Sequence, residues 1–150
     1  TDDTWTWDGV TWTQRVLGQS PSPRGEHAMA YDAVDQQVVL FGGGNLTDTW
    51  TWDGVTWTNR TSAPAPPPAT GYALAGDELG QRVVLIGTAN TWSWEAVSGW
   101  TEHVLAPAPV ARTAAAVTYD ATRGQVVVIG GNGGNSKRLG DRWTLGAATP

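Results

Sequence analysis

The chain has 150 residues, enough for one ordinary domain with a core of its own, and it carries ten Trp, nineteen Gly and nine Pro against one Phe and one Met. A net charge of −5 with only 15% charged residues leaves no electrostatic footprint for nucleic acid or an anionic membrane surface. The absence of Cys excludes disulfides, thiolate metal sites and a Cys nucleophile, and no apolar run approaches the ~20 residues of a membrane-spanning helix.

The sequence opens on Thr1, and any initiator Met or signal peptide has been removed or lies outside it. Asp3 to Thr13 then reads DTWTWDGVTWT, and the same eleven letters return at Asp48 to Thr58, a period of 45 residues. In the second copy Trp50 and Trp52 are two apart, so an extended chain puts them on one face and Thr49 and Thr51 on the other. Asp53-Gly54 is expected to supply the central pair of a type I′ turn, after which Val55 to Thr58 resumes the alternation. A two-residue loop of that kind sets Trp52 against Val55 and Trp50 against Trp57. Each indole carries roughly 150–250 Å² that a lone hairpin cannot cover, so the hairpin requires neighbours.

After the break at Ser20 to Pro23, Glu26 to Tyr31 is a short candidate strand and Asp32 to Gln36 a turn-rich connection. Gln37 to Phe41 is apolar on both faces, as an inner strand buried on both sides should be, and it ends in Gly42-Gly43-Gly44. With the Trp hairpin this makes a unit of four strands. The unit recurs with drift. Gly71 to Asp77 matches Glu26 to Asp32, Val83 to Gly87 matches Val38 to Gly42, and Trp92-Ser93-Trp94 with Trp100 matches the hairpin across a longer turn, Glu95 to Gly99. Arg112 to Asp120 and Val126 to Gly131 begin a third unit, which continues through Asp141 to Leu145 without a fourth strand. The Pro-rich stretch from Ala63 to Ala69 falls where the repeat demands a connection, and so reads as a stiff loop between units. No window has helical period. The segments are therefore 1–16, a trailing hairpin; 24–60 and 69–104, full units; and 112–145, an incomplete one.

A four-stranded unit of 42 to 51 residues, with a glycine pair after its second strand and a Trp in its fourth, resembles the kelch repeat. The resemblance covers almost the whole chain and rests on Gly42-Gly43 with Trp57, Gly87 with Trp100, and Gly130-Gly131. Trp52 and Trp94 stand where many kelch repeats carry Tyr, and Thr88 follows Gly87 where a second Gly is usual. The resemblance implies an all-β fold, a β-propeller of four-stranded blades like the central domain of galactose-oxidase-type proteins, with about three blades in this chain. Propellers typically close with four to eight blades, so the chain is expected to be the remainder of a longer propeller or half of a closed six-bladed ring, a homodimer. A radical-copper cofactor of the galactose-oxidase kind does not carry over, because the Tyr-Cys crosslink has no Cys and no His cluster is present; no cofactor and no metal site are expected.

Strand reversal places the connections between units and the loops after the glycine pairs on one face, where long loops on a rigid scaffold collect recognition residues. Arg24, Glu26, His27, Tyr72 and Arg112 are expected there, with Asn45 and Asn132 in the glycine loops, as a candidate mouth for a protein or glycan ligand. The alternative for Arg24 and Arg112 is local: hydrogen bonds to loop carbonyls or pairing with neighbouring acids. Glu26 and His27, adjacent in a strand, would point to opposite faces, and the only other His, His103, belongs to an outer strand. Asp48, Asn90 and Asp141 open the third strand of their units and read as turn caps or calcium ligands. The tryptophans, alternating strictly with Thr, read as core in preference to a sugar platform, and the sequons Asn45-Leu46-Thr47 and Asn59-Arg60-Thr61 matter only in a eukaryotic secretory setting. The expectation is a non-catalytic interaction module; a structural protein assembling with its own copies and an enzyme with a site on the loops are the alternatives.

Overall fold

The computed structural model describes residues 2–87 and 90–146. Thr88 and the tail 147–150, on which part of the repeat comparison falls, lie outside the described residues. The described chain is all-β, with one short 3-10 turn at Gly134–Ser136. Strands β1 (Thr4–Trp7) and β2 (Trp12–Arg15) form a hairpin. β3 (Ala28–Asp32), β4 (Gln37–Phe41), β5 (Thr49–Trp52) and β6 (Trp57–Asn59) form a four-stranded antiparallel sheet in sequence order. β7 (Ala73–Asp77), β8 (Arg82–Ile86), β9 (Thr91–Glu95) and β10 (Gly99–His103) form a second such sheet, and β11 (Ala116–Asp120), β12 (Gln125–Ile129) and β13 (Arg142–Gly146) a sheet of three.

Register explains the composition. In the first sheet Tyr31, Val38, Trp52 and Trp57 lie opposite one another across the four strands, as do Met29, Leu40 and Trp50, so one face collects the indoles. Ala28, Ala30, Val39 and Phe41 occupy the other face and pack on Leu74, Val83, Leu85, Trp92, Trp94 and Trp100 of the second sheet. The second sheet's far face, Ala75, Val84 and Ile86, packs in turn on Val117, Tyr119, Val126, Val128, Trp143 and Leu145 of the third. The inner strand Arg82–Ile86 is apolar on both faces because it lies between two such layers, whereas Gln37–Phe41 meets the second sheet on one face and the indoles of its own sheet on the other. First strands meet first strands, β3 against β7 and β7 against β11.

Two expectations change. The first strand begins at Ala28 and not at Glu26, which has φ +57 and so cannot continue a strand. The hairpin turn is shifted by one residue: Trp52 faces Trp57 and Trp50 faces Asn59. Its central pair is Gly54-Val55, with Gly54 at φ +96 and the Asp53 N–H donating to the Thr56 carbonyl (3.3 Å). Asp53 is freed to accept hydrogen bonds from the backbone N–H groups of Val55 (2.8 Å) and Thr56 (2.7 Å).

Hydrogen bonds tie the hairpins across sheets. The indole N–H of Trp57 donates to Thr4 Oγ1 (2.9 Å) and that of Trp100 to Thr49 Oγ1 (2.8 Å), so each fourth-strand Trp is held by the third strand of the preceding sheet. Trp100 also meets Phe41 edge-on at 5.0 Å between ring centroids. Identical sequence does not give identical burial: Trp50, Trp52 and Trp57 are buried, whereas Trp5, Trp7 and Trp12 are 48%, 51% and 64% exposed.

Candidate functional site

The glycine-loop edge is built on two ion pairs of the same design. Arg24 donates to both carboxylate oxygens of Asp48 (2.6 and 2.7 Å) and to the carbonyl of Gly42 (2.9 Å). Arg112 does the same with Asp141 (2.8 and 2.9 Å) and the carbonyl of Gly130 (2.9 Å), with its own side chain wholly buried. In both, the Trp two residues after the Asp adds its indole N–H, Trp50 to Asp48 at 2.7 Å and Trp143 to Asp141 at 2.6 Å. The Arg four residues ahead of a first strand thus clamps the loop after the second strand to the start of the third. Burial pushes the Asp48 carboxyl up, but the hydrogen bonds from Arg24 and Trp50 outweigh it and hold the group below its ordinary value. For Asp141 the bonds from Arg112 and Trp143 lead, and hold it well below the carboxylate range.

In the second unit the equivalent positions are Ala69 and Asn90, so the Arg and the Asp are replaced together. Asn90 there donates to Glu102 Oε1 (2.9 Å), and the Trp92 indole N–H, equivalent to that of Trp50, is buried with no hydrogen-bond partner among the described residues.

The remaining candidates gather along the same edge. His27 is exposed beside Gly43, but partial desolvation of its ring and, after it, the nearby Arg24 charge lower its pKa. Gly43 has φ +101, and a Cβ there would lie 2.8 Å from the carbonyl oxygen of Gly25, so the loop fits against the start of the first strand only without a side chain. Glu26 and Asn45 are exposed. Tyr72 is buried, its ring against Gly87 and its hydroxyl donating to the Pro67 carbonyl (2.6 Å). Arg112 is its neighbour, since its backbone N–H donates to the Gly87 carbonyl (3.1 Å). Asn132 presents its side chain to solvent while its backbone pairs with Thr113 and Arg138. The structure therefore brings Arg24 with His27 and Tyr72 with Arg112, and leaves Glu26, His27, Asn45 and Asn132 as the exposed members.

Two features escaped the sequence reading. A cleft of about 290 Å³ opens between β1 and the first four-stranded sheet, with Trp5, Arg24, His27, Met29, Leu40 and Trp57 in its wall. Ser93 Oγ lies 2.7 Å from His103 Nε2 across β9 and β10; no carboxylate bonded to the imidazole is found among the described residues, so the arrangement is a dyad without an orienting acid. The signal for the dyad was diagonal spacing across a hairpin, visible only with the register in hand.

No protein-family profile matches the chain, and no curated protein matches it. Among solved structures the chain is similar to the structure of YjhT, with a TM-score of 0.70 at 12% identity over 98% of this chain. The match spans 50% of that chain, so the present sequence covers about half the length of its structural neighbour. At this identity the likeness concerns the fold: an all-β chain of successive antiparallel sheets.

Proposed function

We propose that the chain is a segment of a kelch-type β-propeller that works as a non-catalytic interaction module, presenting its glycine-loop edge to a protein or glycan. The observation that carries this reading is the division of labour along that edge. Arg24, Tyr72 and Arg112 are used up in holding the loops, while Glu26, His27, Asn45 and Asn132 are held out to solvent by backbone that those bonds fix. Rigid loops with a few polar side chains suit recognition, because little ordering is left to be done on binding. Titration calorimetry against a panel of neutral and acidic oligosaccharides and candidate protein partners tests it. Saturable binding without chemical change, weakened tenfold or more by His27→Ala with Asn45→Ala, is the expected result; binding indifferent to both substitutions refutes it.

A second reading, assembly with another copy, is favoured by a separate observation. The indoles of β1 and β2 and Met29 of the first sheet are exposed, whereas their repeat equivalents in the second sheet, Trp92, Trp94, Trp100 and Leu74, are buried. Ile129 is 52% exposed although its equivalent, Phe41, is fully buried. Each exposed surface is one side of an interface that the chain elsewhere completes.

A further inference from the structure

We propose that the long glycine loop of the third unit, residues 132–140, is the part of the loop edge that takes an acidic segment of a partner protein, with Lys137 and Arg138 as the cations that meet its carboxylates. The inference rests on the interaction reading above and names the chemistry of the ligand.

The first unit supplies the comparison. Between the second glycine of the pair and the Asp that opens the third strand it has four residues, 44–47, none of them charged, whereas the third unit has nine, 132–140. The clamp does not need that length, since Arg24 and Arg112 grip their Asp and their glycine carbonyl in the same way across both loops. The added residues therefore serve something other than closing the sheet, and they stand on the face where insertions in a repeat scaffold collect recognition residues.

The insertion is built on its own bonds. Leu139 N–H donates to the Gly131 carbonyl (2.9 Å) and Gly133 N–H to the Lys137 carbonyl (2.8 Å), while Asn132 bridges Thr113 on one side and Arg138 on the other. The Leu139 side chain lies against Gly133, and the tip is a single 3-10 turn at Gly134–Ser136 with Asn135 at φ +58, a conformation that Asn tolerates. The side chains of the loop are thus carried on fixed backbone.

Its charge is unspent. Lys137 and Arg138 are exposed, and neither side chain has a hydrogen bond or ion pair among the described residues, whereas Arg24 and Arg112 are committed to Asp48 and Asp141. The nearest acid in sequence, Asp141, already accepts from Arg112 and Trp143. Asn132 and Asn135, both exposed, flank the two cations with amides that can pair with the N–H and C=O groups of a peptide.

The rest of the chain selects the size of the anion. Asp8, Asp35, Asp53, Glu78 and Glu95 are exposed in the short turns at the other end of the strands, where Arg82 and Arg123 are paired with Asp77 and Asp120. A strand of five residues spans ~17 Å, about twice the ~8 Å Debye length at physiological ionic strength. A short segment held at the long loop therefore feels Lys137 and Arg138, while a nucleic acid or an anionic membrane surface extends into the field of a chain of net charge −5. A glycan is disfavoured for a different reason. Sugar rings are gripped by exposed aromatic faces, and near this loop Tyr72 is buried and the Trp143 indole is tied to Asp141.

Fluorescence anisotropy of the full chain with labelled peptides tests the assignment, using one peptide that alternates Glu with Gly, a Gln–Gly counterpart, a Lys–Gly counterpart, and an oligogalacturonate of equal charge. The expected result is saturable binding of the Glu peptide, tenfold or more tighter than the Gln peptide and weakened by added salt. Lys137→Gln with Arg138→Gln should weaken it tenfold or more at an unchanged urea midpoint, because neither side chain holds the fold. Lys137→Glu with Arg138→Glu should transfer the preference to the Lys peptide. Equal affinity for the Glu and Gln peptides, or a Glu peptide indifferent to the double substitution, overturns the inference and leaves the loop-edge reading to its own His27 and Asn45 test. Tighter binding of the oligogalacturonate assigns the cations to a glycan and overturns the peptide. No saturable binding of any of these probes overturns it as well, and the loop-edge reading falls with it only if the panel of oligosaccharides and proteins is silent too.

Discussion

Trp57→Ala and Trp12→Ala change the same letter of the same eleven-residue motif, so any difference in cost comes from tertiary surroundings alone. Trp57 keeps 6% of its surface, and Trp12 keeps 64%. Removing about 200 Å² of indole from cover at ~25 cal/mol per Å² gives ~5 kcal/mol for Trp57, an upper bound because the unfolded chain already buries some of it. Large-to-small changes in packed cores cost about 3–5 kcal/mol, which agrees. For Trp12 roughly 70 Å² is covered, and the same coefficient gives less than ~2 kcal/mol. Urea unfolding followed by far-UV circular dichroism, at a concentration where light scattering shows monomer, measures both against wild type, with unchanged slope as the check that the unfolded states match. Equal costs under those conditions would refute the claim that the first hairpin lacks a covering neighbour among the described residues.

Arg24→Ala is expected to cost about 3–5 kcal/mol in urea unfolding, since it strands a partly buried carboxylate, and adding Asp48→Asn should recover at least 1 kcal/mol of the loss; additive costs would disprove the coupling. Acidification should lower the urea midpoint in two windows. His27 has a depressed folded pKa, so its neutral form is favoured and stability falls as pH drops below about 6.5. Asp48 and Asp141 are depressed carboxyls whose contribution is complete above about pH 4 and is lost as pH falls through their lower folded values. His27→Asn should abolish the first window only, and Asp48→Asn with Asp141→Asn should flatten the second. Gly44→Ala, at φ +60 with open space around the added methyl, should cost about 1–2 kcal/mol; Gly43→Ala, whose Cβ would meet the Gly25 carbonyl, should cost more, and equal thermal melts would contradict the close approach.

The four-strand unit was legible because two local signals agree, the alternation of Trp with Thr and the apolar run before each glycine loop. The turn was misread by one residue because Asp-Gly is the commonest pair at the centre of a hairpin, and here the Asp side chain caps the turn from outside it. The slip left Trp52 and Trp57 on one face, so the face assignment survived. The ion pairs were less visible, since Arg24 and Asp48 are 24 residues apart. A trace was present: Arg and Asp occur together in the first and third units, and both are absent from the second, as expected of groups that depend on each other. Burial of the first hairpin was not legible at all, because its letters are those of the buried one.

The loss of the ion pair from the second unit follows from its position between two others. In the first unit Arg24 is the side chain that joins the glycine loop to Asp48, beside a backbone bond from Gly42 N–H to the Asp48 carbonyl (3.1 Å), and in the third Arg112 does so for Asp141, beside the bond from Gly130 N–H (3.1 Å). The second unit draws on its neighbour instead: the Gly71 carbonyl accepts from Ala114 N–H (2.9 Å), the Gly87 carbonyl accepts from Arg112 N–H (3.1 Å), and the Tyr72 ring closes against Gly87 from its own side. Those bonds hold the loop edge from outside the sheet, so an Arg at position 69 would be a second restraint on backbone already fixed. The Trp92 indole, buried with no partner among the described residues, records the cost, about 1–3 kcal/mol for an unsatisfied donor. Asn90→Asp supplies the missing carboxylate to that indole, but with Ala69 opposite it also introduces a charge lacking its Arg, so the single substitution is expected to destabilise. The pair Ala69→Arg with Asn90→Asp should stabilise relative to Asn90→Asp alone by 1 kcal/mol or more in urea unfolding. A double variant no more stable than the single one would show that the second unit's loop has diverged too far to accept the clamp of its neighbours.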